Sequence, residues 1–250
     1  MANHEGGSGL KLYVHQGSQP ARAVTIFCRA NHIEAQEIKV EILQLESRTA
    51  EYKKKINPMG LVPCIDDNGF KLNESHAILR YLATTRNVAD HWYPKDPKQR
   101  ALVDAALDWH HLNLRRYGAQ LVRSRVLWKL PGHAGFIPDT DHDALSAESV
   151  KMLPRVFDQL EFILQHGKFL QNANELSIAD LSLACELAHL QLLGKEGQES
   201  LLGCRERINK WLADVEEAAS PYFKDVHEEV IVPYAKHVEE IRAQGHLGAL

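Results

Sequence analysis

The spacing of apolar residues changes once along the chain. In the first third, apolar and polar residues alternate in short runs, as at Leu10, Leu12 and Val14, and helical stripes lie between the runs. These runs predict the order β-α-β-α-β-β-α, which ends near Thr85. From Gln99 onward the apolar spacing is helical, with no clean alternation. The pattern therefore predicts an α/β part followed by an all-helical part.

The strongest local signal in the α/β part is a hairpin followed by a helix. Asn68-Gly69 is the dipeptide most typical of a two-residue hairpin turn. We predict a strand at Val62–Ile65 before it and a partner at Phe70–Leu72 after it, although Pro63 cannot donate to a sheet. A helix then begins at Glu74. The remaining predictions are a strand over Gln36–Leu43 and a short exposed helix or irregular turn over Ser47–Lys55.

Two prolines separate the α/β part from the helical part. Pro94 and Pro97 lie in a stretch with little periodicity, which is typical of a linker. We therefore predict domains at residues 10–87 and 99–250, joined by a linker at residues 88–98. The predicted helices of the second domain are Gln99–Trp128, Ala144–His166, Ser177–Leu193, Arg205–Ala219 and Asp225–Ala243, the last of them broken at Pro233.

Charge and composition exclude several classes of function. The chain has 250 residues and a net charge of −4, which favours neither nucleic acid nor an anionic membrane as a partner. No apolar run is long enough to cross a bilayer, and the first residues lack a secretory layout. We predict a cytoplasmic protein.

Cysteine and histidine spacing adds two expectations. The four cysteines are far apart in sequence, which predicts buried thiols in a reducing compartment rather than a disulfide framework. None of the 14 histidines lies three or four residues from another, as a shared helical face would require. We therefore predict no metal site.

Ser18 is the first candidate for chemistry, because it opens the first helix directly after the first strand. A helix N-terminus carries partial positive charge and unpaired N–H groups, so it can hold an anion such as a thiolate. The alternative is that the Ser18 hydroxyl only caps the helix, as serines at this position commonly do.

Two dipeptides accompany Ser18. If the Val62-Pro63 bond is cis, the backbone groups of Val62 face outward and can pair with an extended peptide; the alternative is an ordinary edge-strand proline. At Glu74-Ser75 a helix start suits a carboxylate and the Glu74 side chain suits an ammonium; the alternative is a plain N-cap with an acid beside it. Together the three features describe a site for a short zwitterionic peptide.

Several motifs connect these features with a known family. They are S-Q-P-A-R-A-V at Ser18–Val24, N-P-M-G-L-V-P at Asn57–Pro63, N-E-S-H-A-I-L-R-Y-L at Asn73–Leu82 and F-L-Q-N-A-N-E-L-S-I-A-D-L at Phe169–Leu181. In this order they resemble the soluble glutathione transferases, in particular the theta class of plants. The resemblance covers nearly the whole chain apart from its two ends. It implies a thioredoxin-like N-terminal domain, an all-α C-terminal domain and a homodimer.

The resemblance also implies roles for the candidate residues. Ser18 matches the catalytic serine, which donates a hydrogen bond to the glutathione sulfur. Val62 and Pro63 match the site that pairs with the cysteinyl backbone of glutathione. Glu74 and Ser75 match the site for its γ-glutamyl end.

Five more residues receive weaker assignments. Gln19 is expected to contact the bound peptide, and Ser47 and Arg48 lie near the position that meets the glycine carboxylate. Leu61 departs from the family, where a lysine or glutamine often stands, and it offers only its backbone. Arg115 matches an arginine directed at the electrophile; the alternative is a salt bridge. The tail from Val230 to Leu250 is expected to fold over the substrate pocket.

The function that follows is transfer of glutathione to small hydrophobic electrophiles, with glutathione-dependent reduction of organic hydroperoxides as a second activity. Glutathione acts as co-substrate, and neither a metal nor a prosthetic group is implied. Two alternatives use the same fold without turnover: a carrier that binds glutathione or another ligand, and an interaction module.

Overall fold

A four-stranded mixed sheet forms the centre of the first part of the molecule. The computed structural model describes residues 9–130, 137 and 139–243. The strand order is β2-β1-β3-β4, with β1 parallel to β2 and antiparallel to β3. The hairpin partners β3 and β4 are antiparallel. The strands are β1 (Leu10–Val14), β2 (Gln36–Lys39), β3 (Cys64–Asp67) and β4 (Phe70–Asn73).

The first strand of the hairpin begins two residues later than predicted. The predicted start at Val62 was wrong, because Pro63 has no N–H for the ladder and pairing begins at Cys64. The partner strand begins at Phe70 as predicted. Asp67 pairs with Phe70, which leaves Asn68-Gly69 as a two-residue turn with φ of 53° and 95°. Positive φ at both positions is characteristic of a type I′ turn.

Three helices complete the α/β part: α1 (Gln19–Ala30), α2 (Ala50–Lys55) and α3 (Ser75–Thr85). Helices α1 and α3 pack together, and Phe27 and Ile78 on them are fully buried. The element order and the mixed sheet form a thioredoxin-like arrangement, which confirms the predicted fold of this part. The predicted strand over Gln36–Leu43 ends earlier, since a short 3₁₀ turn at Ile42–Gln44 follows it.

The second part is helical, as predicted. Where one helix was predicted over Gln99–Trp128, the structure has two, because the backbone of Asn113 leaves the helix at φ −119° and ψ −86°. The prediction of a break at Pro233 was also wrong, since that residue lies inside the last helix. The helices are α4 (Pro97–Leu112), α5 (Leu114–Arg125), α6 (His142–Ile163), α7 (Ile178–His189), α8 (Gly194–Leu202), α9 (Glu206–Ala218) and α10 (Tyr222–Ala243).

Helix α7 is the central helix of the molecule, and all 12 of its residues are buried. Ser177 and Asp180 form a capping box at its start. Asp180 also accepts hydrogen bonds from the Leu170 N–H and the Trp211 indole, each at 2.8 Å. Arg22 of α1 donates to the Cys185 carbonyl at 3.2 Å. Helix α7 therefore anchors the helical part to the α/β part.

Three of the four cysteines are buried as predicted, but Cys204 is exposed. It lies in the short connection after α8, a helix that the sequence analysis missed because Gly194 and Gly197 weaken its helical pattern. Within the described residues, no helix is long and apolar enough to cross a membrane.

Candidate active site

A cleft of about 240 Å³ opens between the start of α1 and one face of α5. Seven of the ten residues proposed from the sequence line it. We name its first side the N-terminal wall, formed by Gly17, Ser18, Gln19, Ile42, Ser47, Arg48, Leu61 and Val62. The other side is the helical wall, formed by Arg115, Ala119, Arg123, Leu127, Ile137 and His189.

Ser18 presents an unused hydroxyl to the cleft. It is the N-cap residue of α1 by position, with extended backbone at φ −89° and ψ 120°, yet its side chain makes no capping hydrogen bond. Its own N–H donates to the His15 carbonyl at 2.9 Å, which fixes the turn before the helix. The alternative that the hydroxyl serves only as a cap is therefore wrong, and the hydroxyl can donate to a ligand.

The Val62 segment offers free backbone groups. The Val62-Pro63 peptide bond is cis, and among the described residues the N–H and C=O of Val62 have no backbone partner. The preceding carbonyl, of Leu61, accepts from the Tyr52 hydroxyl at 3.1 Å and the Asn57 amide at 2.8 Å. These two bonds hold the segment in place, while the Leu61 side chain is 45% exposed.

Arg48 stands at the rim of the N-terminal wall. It ends a 3₁₀ turn at Glu46–Arg48, and Ser47 beside it is buried. Gly60 allows this turn to approach the Val62 segment, because a Cβ on it would lie 2.8 Å from the Ser47 carbonyl oxygen and its φ is +65°. In the part of the chain that the structure describes, Arg48 has no acidic partner within ion-pair distance.

Glu74, Ser75 and Pro63 are the three proposed residues that do not line the cleft. Glu74 is exposed at the start of α3 with φ +67°, a strained conformation for a residue with a side chain. Ser75 is buried and lines a small neighbouring cavity together with Arg115. Pro63 is buried behind Val62. The rest of the fold must stabilise this conformation of Glu74, as is common at binding sites. The strain is therefore consistent with a binding role.

Arg115 both lines the cleft and forms the salt bridge that was considered as its alternative. Its Nη1 atom donates to Glu186 Oε2 at 2.8 Å. The other carboxylate oxygen, Oε1, accepts from the side-chain amide of Gln19 at 3.2 Å. Glu186 is only 1% exposed, so this carboxylate ties the two walls together from behind the cleft.

Glu186 remains ionised despite its burial. Burial alone would raise its pKa, but the Arg115 guanidinium and the neighbouring His110 hold the pKa at about 2. Glu186 was not predicted from the sequence. The available signal was a single acidic residue in the run L-S-L-A-C-E-L of α7, in which the other residues are apolar apart from one serine.

An apolar chamber adjoins the cleft. Both cavities are lined by Gly17, Ile42, Leu127 and His189. Burial lowers the pKa of His189 to about 3, so its imidazole is neutral at physiological pH. Helix α10 contributes Val230, Ile231 and Tyr234 to the chamber, and residues 244–250 of the predicted tail lie outside the described residues. The other lining residues are His15, Leu43 and Leu192.

The described lining residues of both cavities include no cysteine. Burial raises the thiol pKa of Cys28 and Cys185 to about 12 and that of Cys64 to about 11, so these thiols stay protonated near neutral pH. Among the described residues, no group of three or more histidine, cysteine, aspartate or glutamate side chains could hold a metal ion.

Comparison with known proteins assigns the chain to a family. Residues 8–84 match the model of the glutathione S-transferase N-terminal domain. Glutathione S-transferase T1 of Arabidopsis thaliana is 41% identical over 222 residues, which cover 88% of each chain. The chain belongs to the glutathione S-transferases, in their theta class. Glutathione S-transferase theta-1 of Bos taurus is 34% identical over 233 residues, with 89% of each chain covered.

The fold of this theta-class transferase is similar to that of solved relatives. One is human glutathione transferase theta-2, which was solved in complex with glutathione and an unknown ligand. The two chains are 28% identical and superimpose with a TM-score of 0.80 over 96% of this chain and 93% of the human one. The family assignment and the fold therefore agree.

Proposed function

We propose that this transferase binds glutathione in the cleft and adds its thiolate to electrophilic carbon. The observation that carries the proposal is the free hydroxyl of Ser18 at the N-terminus of α1, on the same wall of the cleft as the unpaired backbone of Val62. The human theta-2 structure, which contains glutathione, supports the choice of co-substrate.

The chemistry that we propose begins with the thiol of glutathione. A free thiol has a pKa of about 8.5, so little of it is ionised at neutral pH. Hydrogen-bond donation from Ser18 and the N–H groups at the start of α1 favour the charged form and lower that pKa. Among the described residues, the Ser18 hydroxyl forms no hydrogen bond to a basic side chain, so we assign it the role of a donor and not of a proton acceptor.

The remaining groups of glutathione are assigned to hydrogen-bonding groups or side chains of opposite charge. Val62 pairs with the cysteinyl backbone through its N–H and C=O. Arg48 binds the glycine carboxylate, while Glu74 and Ser75 bind the ammonium and carboxylate of the γ-glutamyl end. Arg115, held by Glu186, directs positive charge at the sulfur or at an anionic leaving group.

Reduction of organic hydroperoxides is the second activity that we propose. The thiolate attacks a peroxide oxygen, the O–O bond breaks, and the departing alkoxide takes a proton to become an alcohol. A second glutathione then attacks the resulting sulfenic acid, which gives glutathione disulfide and water. The raised pKa values of the buried cysteines support a route without a protein thiol.

Three features of the organisation belong to the same proposal. They are the division into a glutathione-binding domain at residues 10–87 and a helical domain at 99–250, a homodimer and a cytoplasmic location. Small hydrophobic electrophiles are the expected second substrates, because the chamber beside the cleft is lined mainly by apolar side chains.

The test uses the purified full chain with glutathione and either benzyl isothiocyanate or cumene hydroperoxide. We expect rates above the enzyme-free blank for both, a loss of about 100-fold in Ser18→Ala, and recovery of most activity in Ser18→Thr. Calorimetric binding of glutathione without turnover would favour the carrier, and absence of binding would favour the interaction module.

A further inference from the structure

The helical wall carries one more cation than glutathione requires. Arg115, Ala119 and Arg123 are spaced four residues apart, so they lie on one face of α5 and all three line the cleft. The small side chain of Ala119 leaves space between the two guanidinium groups. Arg115 forms an ion pair with Glu186, but among the described residues Arg123 has no such partner.

The contacts of Arg123 leave its charge uncompensated. Its Nε donates to the carbonyl of Ala119, one turn earlier in the same helix, at 3.3 Å. Its two terminal amino groups make no hydrogen bond or ion pair to any described residue. Within the described residues, the lining of the cleft includes no aspartate or glutamate. Arg123 is exposed to solvent at the cleft, and among the described residues its guanidinium has no ion-pair partner, so the side chain presents a cation to the cavity.

Glutathione as placed above leaves no anion for Arg123. Its glycine carboxylate is assigned to Arg48, its γ-glutamyl end to Glu74 and Ser75, and its sulfur to Ser18. The position of Arg123 points instead to the second substrate. Leu127, four residues further along the chain, lines both the cleft and the apolar chamber, so Arg123 stands close to where the two cavities adjoin.

We propose that Arg123 makes this transferase selective for electrophiles that carry a carboxylate beside an apolar body. The apolar body occupies the chamber against Leu43, Leu192 and Ile231, and the carboxylate pairs with the Arg123 guanidinium. The inference rests on the proposed function, because it concerns the second substrate of the same reaction.

Ethacrynic acid and its methyl ester form a matched pair of probes. Both contain an activated carbon–carbon double bond, and only the acid carries a carboxylate. The glutathione sulfur forms a bond to the β-carbon, the π bond breaks, and the α-carbon takes a proton from water. No group leaves, so the carboxylate stays on the product and its pairing is also measurable in product binding.

The experiment compares kcat/KM for the acid and the ester in four proteins, after correction for the uncatalysed rates. We expect the wild type to prefer the acid by about 10-fold, a factor typical of one charge pair in a partly solvated site. Arg123→Gln should lower the ratio to near one by slowing the acid only, and Arg123→Lys should retain part of it. Arg116→Gln is the matched control, since Arg116 lies on the same helix, pairs with Glu148 and lines neither cavity; it should keep the wild-type ratio.

Calorimetry with the two preformed glutathione conjugates gives a readout that does not need turnover. An acid-to-ester ratio that is equal in the wild type and Arg123→Gln, in rate or in conjugate affinity, would overturn the inference. A fall of the acid-to-ester ratio by the same factor in Arg116→Gln would also overturn the inference, because the effect would then come from the overall positive charge of α5 and not from Arg123. If the protein binds glutathione and conjugates both probes equally, the proposed function stands and the inference fails; if it neither binds glutathione nor conjugates either probe, both fail.

Discussion

The two walls of the cleft are built by different means. The N-terminal wall offers a hydroxyl, backbone groups and Arg48, and its Val62 segment is held by hydrogen bonds from residues only four and nine positions away. The helical wall presents long cationic side chains, and Arg115 is held by Glu186 from 71 residues away. Local contacts fix the N-terminal wall, which suits a ligand that is the same in every reaction, such as glutathione. Contacts between distant helices allow the helical wall to differ with the second substrate while the N-terminal wall stays the same.

The largest effect is expected from the residue that connects the walls. Glu186→Gln should lower the free energy of unfolding at neutral pH by about 3 kcal/mol, because it removes the charge that compensates Arg115 in a largely buried pair. Urea denaturation measures this change. Glutathione affinity should change little, since Glu186 does not line the cleft; a large loss of affinity in a folded variant would contradict the separation of the two walls.

The same variant should show a specific pH dependence. The pKa of Glu186 lies at about 2 in the folded state and near 4.5 in a free side chain, so its ionised form stabilises the fold. This contribution is present above pH 4.5 and is lost as the pH falls from there towards 2. The difference in unfolding free energy between wild type and Glu186→Gln should therefore shrink over this range, and a constant difference would count against the ion pair.

Arg115→Ala should affect turnover and leave glutathione binding nearly unchanged. Loss of the guanidinium removes positive charge from the reacting sulfur, and we expect kcat to fall by about 30-fold. Arg116→Ala, on the adjacent exposed position, serves as the control and should behave as wild type. Steady-state kinetics with varied glutathione concentration measures kcat and the KM for glutathione, and the melting temperature shows whether the variant is folded. A large rise in KM for glutathione with unchanged kcat would indicate that Arg115 binds glutathione, and it would contradict the role in turnover assigned here.

Arg48→Ala should give the opposite pattern. Because Arg48 is assigned to the glycine carboxylate, its loss should raise KM for glutathione by about 10-fold and leave kcat nearly unchanged. Lys54→Ala removes an exposed cation from the neighbouring helix α2 and should change neither value. A fall in kcat with unchanged KM would contradict the assignment of Arg48.

The same contrast explains what could be predicted from the sequence. Asn68-Gly69, Val62-Pro63 and the helix start at Ser18 are short motifs, and local backbone preferences decide their conformation. Only the start of the first hairpin strand was predicted two residues too early, because the effect of Pro63 on strand pairing was underestimated. The pairing of Gln19 and Arg115 through Glu186 depends on how α1, α5 and α7 pack, and no spacing along the chain encodes that contact.

Arg123 and the break at Asn113 belong to the part that could not be predicted. Arg123 is exposed to solvent, as an arginine on an amphipathic helix normally is, and only the packing of α5 beside the cleft shows that it also lines the cleft. At Asn113 the apolar pattern continues through the break, since the helices on both sides bury apolar residues against the same core. Periodicity therefore predicted helix and could not show where the backbone turns.

The central claim is that the Ser18 hydroxyl stabilises the thiolate of bound glutathione. Titration of the thiolate absorbance in the binary complex with glutathione measures this directly, in the wild type, Ser18→Ala and Ser18→Thr. We predict a thiol pKa below about 7.5 in the wild type, a rise of about one unit or more in Ser18→Ala, and a value near the wild type in Ser18→Thr; one unit corresponds to about 1.4 kcal/mol. The same thiol pKa in wild type and Ser18→Ala, with glutathione bound in both, would contradict the account.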